Sequence, residues 1–256
     1  MPMRVVYRAI AGAVVVVVAG TVGTVVFLGN TGSAAPSAAA PRPSPLMASV
    51  APASPSFSPS PTPTVPPLSP QMVTALGDAR LARLPDGQVK LGRLPGRPNP
   101  TRGVFKDKRS GVSVPRFRKI WAPSKPSPFA TRQNLPKVKN SPVRGMVVSC
   151  PVPIAVQENL KDTAFLAAGW TLNHQPKGAT LTWTAVQNVT IGKRDAWVMG
   201  YNAHYVIKGK KHTSSAAVAL VDVPGKKPAL VFVTIPDTQK RYWRDINTVM
   251  SGIKVP

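Results

Sequence analysis

The stretch WVMGYNAHYVI (197–207) puts Trp197, Met199, Tyr201, Ala203, Tyr205 and Ile207 on one side and Gly200, Asn202 and His204 on the other. An apolar repeat of two marks a β-strand with one buried face, because successive side chains of an extended chain point opposite ways. Downstream, AAVALV (216–221) and LVFVTI (230–235) are continuous apolar runs joined by DVPGKKP (222–228). Two such runs around a Pro/Gly/Lys turn predict a hairpin through the centre of a sheet. Upstream, WTAVQNVTI (183–191) ends at GKRD (192–195), GMVVSC (145–150) is a further strand, and VSVPRF (112–117) is another. Pro115 places that last strand at an edge, since proline cannot donate to a ladder.

Two helices complete the pattern. Residues 158–170 set Leu160, Ala164, Ala167 and Ala168 on one stripe; residues 237–253 repeat Tyr242, Ile246, Val249, Met250 and Ile253 at helical spacing. Asp237 suits the N-cap of the second, where a carboxylate accepts the unpaired amides and meets the positive helix end. The expectation is an α+β domain over residues 105–256, an antiparallel sheet covered by two helices.

Outward from this domain the composition changes. Residues 71–104 form a basic, turn-rich transition in which 71–83 favours a short helix and Pro85, Gly87, Pro95, Gly96, Pro98 and Pro100 break the chain. Residues 30–70 are rich in Pro, Ser and Ala, with prolines from Pro36 to Pro70. They predict a disordered, extended, solvated stalk. Residues 9–28 (AIAGAVVVVVAGTVGTVVFL) carry no charge and would span about 30 Å as a helix, the thickness of a hydrocarbon core. The expectation is a transmembrane helix or signal anchor over 9–29. Arg4 and Arg8 precede it and only Arg42 follows closely, which predicts residues 1–8 as a cytoplasmic tail and the rest outside. Cleavage after Gly32-Ser33-Ala34-Ala35 would make the chain a secreted one; the run's length favours retention. Its small residues (Gly20, Gly23, Thr24) are ordinary for membrane helices and specify no oligomeric state.

Charge and reactive residues narrow the function classes. The chain has 33 Lys+Arg against 9 Asp+Glu, a net charge of +24, and a single cysteine. One thiol excludes a disulfide framework and a Cys-based zinc site. Sequence motifs for nucleophilic serine, phosphate loops, dinucleotides and zinc proteases are missing, and His174, His204 and His212 share no metal-ligand spacing. The reading therefore assigns no catalytic residue, no metal and no cofactor. Cys150, before Pro151, reads as a buried small hydrophobe.

The basic clusters carry more. Lys106, Lys108 and Arg109 lead to Arg116, Arg118 and Lys119 beside Phe117 and Trp121. Lys208, Lys210 and Lys211 sit in a Gly-containing turn, and Lys226 and Lys227 in another. Lys240, Arg241 and Arg244 lie near Tyr242 and Trp243. Arg116, Arg118, Lys119, Lys208, Lys210, Lys211, Lys240, Arg241 and Arg244 are the candidate polyanion-binding residues. Basic residues among aromatics suit nucleic acid in a cytosolic protein. The outward topology disfavours nucleic acid and favours anionic envelope polymers or lipid headgroups.

SGVSVPRF (110–117), SPFATRQ (127–133) and FVTIPDT (232–238) leading to Asp245-Ile-Asn247 resemble membrane-anchored or secreted proteins of actinobacteria. That resemblance implies an extracytoplasmic domain and supplies no catalytic residue. The strand–helix order is similar to the PsbP/Mog1-type α+β sandwich, which implies a binding and assembly fold. The leading expectation is a non-catalytic, membrane-anchored envelope protein that presents a basic binding or assembly domain. One alternative is an extracytoplasmic hydrolase-like enzyme in which His204 or His212 meets Asp195, Asp222 or a serine in three dimensions. The other is a polyanion or nucleic-acid binder.

Overall fold

The computed structural model describes residues 68–256. The apolar run at 9–29 and nearly all of the Pro-rich stretch at 30–70 lie outside the described residues, among which no helix is long and apolar enough to cross a membrane. The elements run α1 (Pro70–Leu76), β1 (Thr101–Asp107), β2 (Val112–Phe117), β3 (Ala122–Pro123), β4 (Thr131–Asn134), β5 (Met146–Pro151), α2 (Leu160–Thr171), β6 (Thr180–Ile191), β7 (Arg194–Ile207), β8 (Lys210–Val221), β9 (Ala229–Pro236) and α3 (Arg244–Ser251). Strands β3 to β9 form one antiparallel sheet in the order β3-β4-β5-β9-β8-β7-β6; β1 and β2 form a separate two-stranded ribbon. The fold class is α+β, as the sequence indicates.

The alternation in 197–207 becomes strand β7, and the six residues of the apolar face read from it join one core. The 216–221 and 230–235 runs are the hairpin β8–β9, with β9 at the middle of the sheet. Their continuous apolarity has a simple cause, because the sheet is covered on both faces. One face carries Met199, Tyr201, Val218, Leu220, Leu230 and Phe232 under α2, whose Ala164, Phe165, Ala167 and Ala168 are fully buried. The other carries Val198, Ala217, Ala219, Val231 and Val233 under α3 and the β1–β2 ribbon. Burying one large apolar side chain such as Phe165 or Phe232 contributes roughly 1.5–3 kcal/mol, so each face needs a full cover. The two helices therefore lie on opposite faces of the sheet.

Two tight turns hold the long strands in register. Gly192 and Lys193 (φ 56 and 65), and Lys208 and Gly209 (φ 49 and 74), each form a two-residue connection with both residues left-handed. Such turns match the right-handed twist of a hairpin. The ribbon is fixed to the sheet by Gln133, whose side chain accepts from the Phe117 N–H (3.0 Å) and donates to the Pro115 carbonyl (2.8 Å). Apart from the isolated Ser113–Lys254 bridge, β2 pairs among the described residues only with β1, in keeping with the edge position read from Pro115.

The helix expected over 237–253 is broken. Residues Asp237–Tyr242 form a 3-10 turn with Gln239 out of helical geometry (φ −123, ψ 23), and α3 starts only at Arg244. The cause is polar. Asp237 does not cap the helix; its carboxylate accepts the Thr213 N–H at 3.1 Å and pairs with His212 Nδ1. Gln239 accepts from the Gly145 N–H (2.6 Å) and donates to the Pro136 carbonyl (2.9 Å). Both side chains turn toward the sheet, and the first helical turn gives way to them.

Residues 70–100 pack on the domain. Met72 of α1 is buried in the α2-side core, Leu81 bridges Leu181 on the outer strand β6, and Val89 bridges Val186. Leu91 and Leu94 lie on the other core, and Asn99 donates twice to Asp245 (2.7 and 2.6 Å).

Candidate functional site

The nine candidate basic residues are spread over three places. Arg116 lies on β2 with its guanidinium 5.3 Å from the Phe105 ring centre, and Arg118 and Lys119 follow, with Lys119 left-handed (φ 55). Lys208, Lys210 and Lys211 crown the β7–β8 turn, all exposed. Lys240 and Arg241 are exposed in the 3-10 turn, Arg241 stacking 4.7 Å over Tyr242. Arg244 is different. It is half-buried, its Nη1 is enclosed with no hydrogen-bond partner among the described residues, and it lines a cavity of about 560 Å³ between α3 and β6.

The histidines expected to test the hydrolase reading do not meet the acids named for it. His204 is exposed on β7 and its ring nitrogens face Thr182 (2.9 Å) and Thr213 (3.2 Å). Asp195 and Asp222 sit together at the opposite end of the sheet, joined through their backbones at 2.9 Å. His212 pairs instead with Asp237 at 3.1 Å and stacks on Tyr205, whose hydroxyl is shared with Ser214 (2.9 Å). Cys150 is buried in the α2-side core, and burial, reinforced by Asp107, pushes its thiol up to about 12. At neutral pH that sulfur is a protonated core group and not a nucleophile.

A second basic cavity, of about 210 Å³, lies on the α2 side of the sheet where α2 stops. Along that face β9 runs Leu230, Phe232, Thr234 and β8 runs Leu220, Val218, Ala216, Ser214, so the lining turns from apolar to polar toward one end. Asn134, Met146 and Thr234 are cross-strand neighbours there. Arg132 enters from β4 and Arg144 from the residues before β5. Helix α2 ends at Thr171, and the 3-10 turn Leu172–His174 delivers His174 and Gln175 to the same wall. Gln175 donates to the Thr234 hydroxyl at 2.8 Å.

His174 is held by rings. Its centroid lies 4.8 Å from Trp170, 5.3 Å from Phe129 and 6.3 Å from Phe232. Its Nε2 is enclosed and has no hydrogen-bond partner among the described residues. Burial, then the nearby Arg132, lowers its affinity for a proton. Burial, then Arg144, likewise holds Arg132 below its ordinary value. Among the described residues neither arginine has a carboxylate within ion-pair distance; Arg132 makes one long contact, Nε to Asn134 Oδ1 at 3.3 Å. Two arginines and the His174 imidazole thus line one small polar space, an arrangement that can take an anion.

Sequence reading missed this site because its cations are isolated in the chain. Arg132, Arg144 and His174 stand in separate segments and form no basic run. A signal was present in Ser214 and Thr234, which interrupt the apolar side of otherwise apolar strands at the same end.

No protein-family model and no curated protein matches the chain. Solved structures similar to it include two that illustrate the likeness. One is the solution structure of PsbP (CyanoP) from Synechocystis sp. PCC 6803, with a TM-score of 0.40 and 12% identity, covering 65% of this chain and 99% of that one. The other is the crystal structure of LpqN, involved in cell envelope biogenesis of Mycobacterium tuberculosis, with a TM-score of 0.37 and 15% identity over 57% of this chain and 83% of that one. The PsbP-type likeness expected from the order of elements is thus found, at a level that leaves the chemistry of the site to its own residues.

Proposed function

We propose that the chain is a membrane-tethered protein of the cell envelope whose folded domain binds anionic envelope polymers or lipid headgroups and does not transform them. The apolar run at 9–29 serves as the tether and the Pro-rich stretch as a spacer, holding the basic domain outside the membrane. One observation supports the binding role above the rest, how few of the acids pair with the surface cations. All nine acids lie in residues 68–256, with all but Arg4, Arg8 and Arg42 of the basic residues. Yet Asp107 accepts from the Ser110 hydroxyl and two backbone amides, Asp245 from Trp121 and Asn99, and Asp237 from His212 and Thr213. Arg80–Asp78 is the one Lys/Arg ion pair among the described residues. Asp107 and Asp245 are buried, and the exposed Asp86, Glu158, Asp195 and Asp222 form no ion pair among the described residues, so most of the lysines and arginines are left to solvent and to partners.

The test is retention of the full chain, in neutral detergent, on an immobilised polyanion over a salt gradient, beside protease treatment of intact protoplasts. Elution that moves steeply with salt, weakened by removing Lys208, Lys210 and Lys211, is the expected result. Absence of saturable binding to any polyanion, or a domain shielded from external protease, would overturn the reading.

A further inference from the structure

We infer that the cavity bounded by Arg132, Arg144 and His174 is a pocket for a single phosphate monoester group, separate from the exposed lysine clusters. The inference deepens the binding reading and rests on it for the nature of the partner. Its own warrant is local.

The first part of that warrant is the lack of internal partners. Protein interiors rarely enclose polar nitrogens that bond to nothing, and each such group needs an explanation. Here the His174 Nε2 is enclosed without a partner, and Arg132 and Arg144 stand close enough to repel each other with no described carboxylate between them. Like charges are gathered at a cost that a bound anion would reverse.

The second part is shape and charge. Guanidinium forks present paired N–H groups that match the edge of a phosphate oxygen pair. Two such forks with a neighbouring imidazole suit a dianion better than a single carboxylate. Thr234, Ser214, Gln175 and Asn134 add hydroxyl and amide groups around the wall. A volume of about 210 Å³ admits a phosphate with a small organic group attached and is too small to thread a polymer.

The third part is rigidity. His174 is clamped among Trp170, Phe129 and Phe232, and Arg132 extends along Phe129 with its guanidinium 6.0 Å from the ring centre. Arg132 and His174 are thus held on a strand and against packed rings, so little ordering of them is required when a ligand arrives.

The test is calorimetric titration of the full chain in neutral detergent with inorganic phosphate and with a hexose phosphate. A parallel arm uses phosphatidylcholine vesicles with and without phosphatidic acid. Saturable binding of at least one phosphate probe is expected, weakened about tenfold or more by Arg132→Gln and by Arg144→Gln. Arg132→Lys, which keeps the charge and loses the fork, should fall between. Lys193→Gln, which removes one charge from an exposed turn at the far end of the sheet, should leave the affinity as it was. Vesicle binding that needs phosphatidic acid and is lost in Arg144→Gln would name a lipid as the source of the phosphate. Binding confined to the soluble probes would name a free sugar phosphate.

An NMR titration supplies a readout that a merely structural role would not move. The charged groups around the His174 ring are Arg132 from β4 and, across the cavity, Arg144 before β5, beside the three aromatic rings; among the described residues no carboxylate lines the space. Bound phosphate should therefore raise the pH at which His174 titrates. No saturable binding of any probe, or binding unchanged by both arginine substitutions, overturns the pocket. If phosphate binding fails while polyanion retention persists, only this inference falls; if retention fails while phosphate binds, only the broader reading does.

Discussion

The two faces of the sheet use polar residues in opposite ways. Beneath α3, the buried polar groups are paired within the chain, with the enclosed Arg244 Nη1 as the exception. The Asp245 carboxylate is fully buried and takes the Trp121 indole N–H (2.8 Å) and two donors from Asn99. Gln239 bridges two loops, and Gln133 bridges the ribbon to the sheet. On the α2 side, past the end of the helix, Arg132 and Arg144 have no carboxylate partner and the His174 Nε2 no hydrogen-bond partner among the described residues. Satisfied buried networks tighten a fold, and unsatisfied ones weigh against it. The difference separates polar residues that hold this molecule together from polar residues that wait for something outside it.

The comparison is most open to attack at Asp245. Replacing it with Ala strips the partner from three donors at once, and a cost of about 3 kcal/mol is expected. Chemical denaturation of the full chain measures this, and a loss below about 1 kcal/mol would show that the closed face is not held by that network. Gln239→Ala should follow at about 2 kcal/mol, since it leaves the Gly145 amide and the Pro136 carbonyl without their side-chain partner. The same experiment reads it, and additivity of the two losses would argue that residues 94–100 and the 3-10 turn dock independently.

How far this division was visible in the chain depends on how local its causes are. The repeat in 197–207 and the stripe of α2 are set by neighbours in sequence, and both are found in the structure. The break near Gln239 was not legible, because it arises from Gly145 and Pro136, far away in the chain. The same holds for Asp237, which reads as a helix cap and serves Thr213 and His212. Residues 70–100 show turn signals and no periodicity, yet their leucines dock singly on β6 and on both cores, which no repeat announces. The Arg132 cavity was hidden for the same reason as most sites built on sheets. Its groups come from β4, β5, β8, β9 and the end of α2, and only the order of strands gathers them.

A smaller effect should appear with pH. His174 binds a proton less readily in the folded chain, through burial first and Arg132 second. The unfolded chain then takes up the proton first as pH falls through about 6.5, so the stability tied to neutral His174 is whole above that pH and is lost below it. Denaturation midpoints between about pH 7.5 and about pH 5 should drop more steeply for the natural chain than for His174→Gln. Equal slopes would mean that the imidazole is not enclosed as described. Saturating phosphate should flatten the slope of the natural chain alone, because a bound anion offsets the repulsion from Arg132.

The smallest expected change is the one that separates the two faces most cleanly. Arg132→Gln removes a half-buried cation whose contacts are a 3.3 Å bond to Asn134 and the face of the Phe129 ring. Against that loss stands relief from burial and from Arg144, which in that order lower the proton affinity of Arg132. The two effects oppose, and the net change in stability should stay within about 0.5 kcal/mol, tending upward at low salt, where like charges repel most. Arg144→Gln should behave alike. A loss above about 1.5 kcal/mol for either would place that arginine with Asp245 and Gln239 among the groups that hold the fold. A near-zero or positive change, in a protein that loses its phosphate site, would show a side chain retained at no benefit to folding, and a ligand is the remaining physical reason for two unpaired guanidiniums to share one wall.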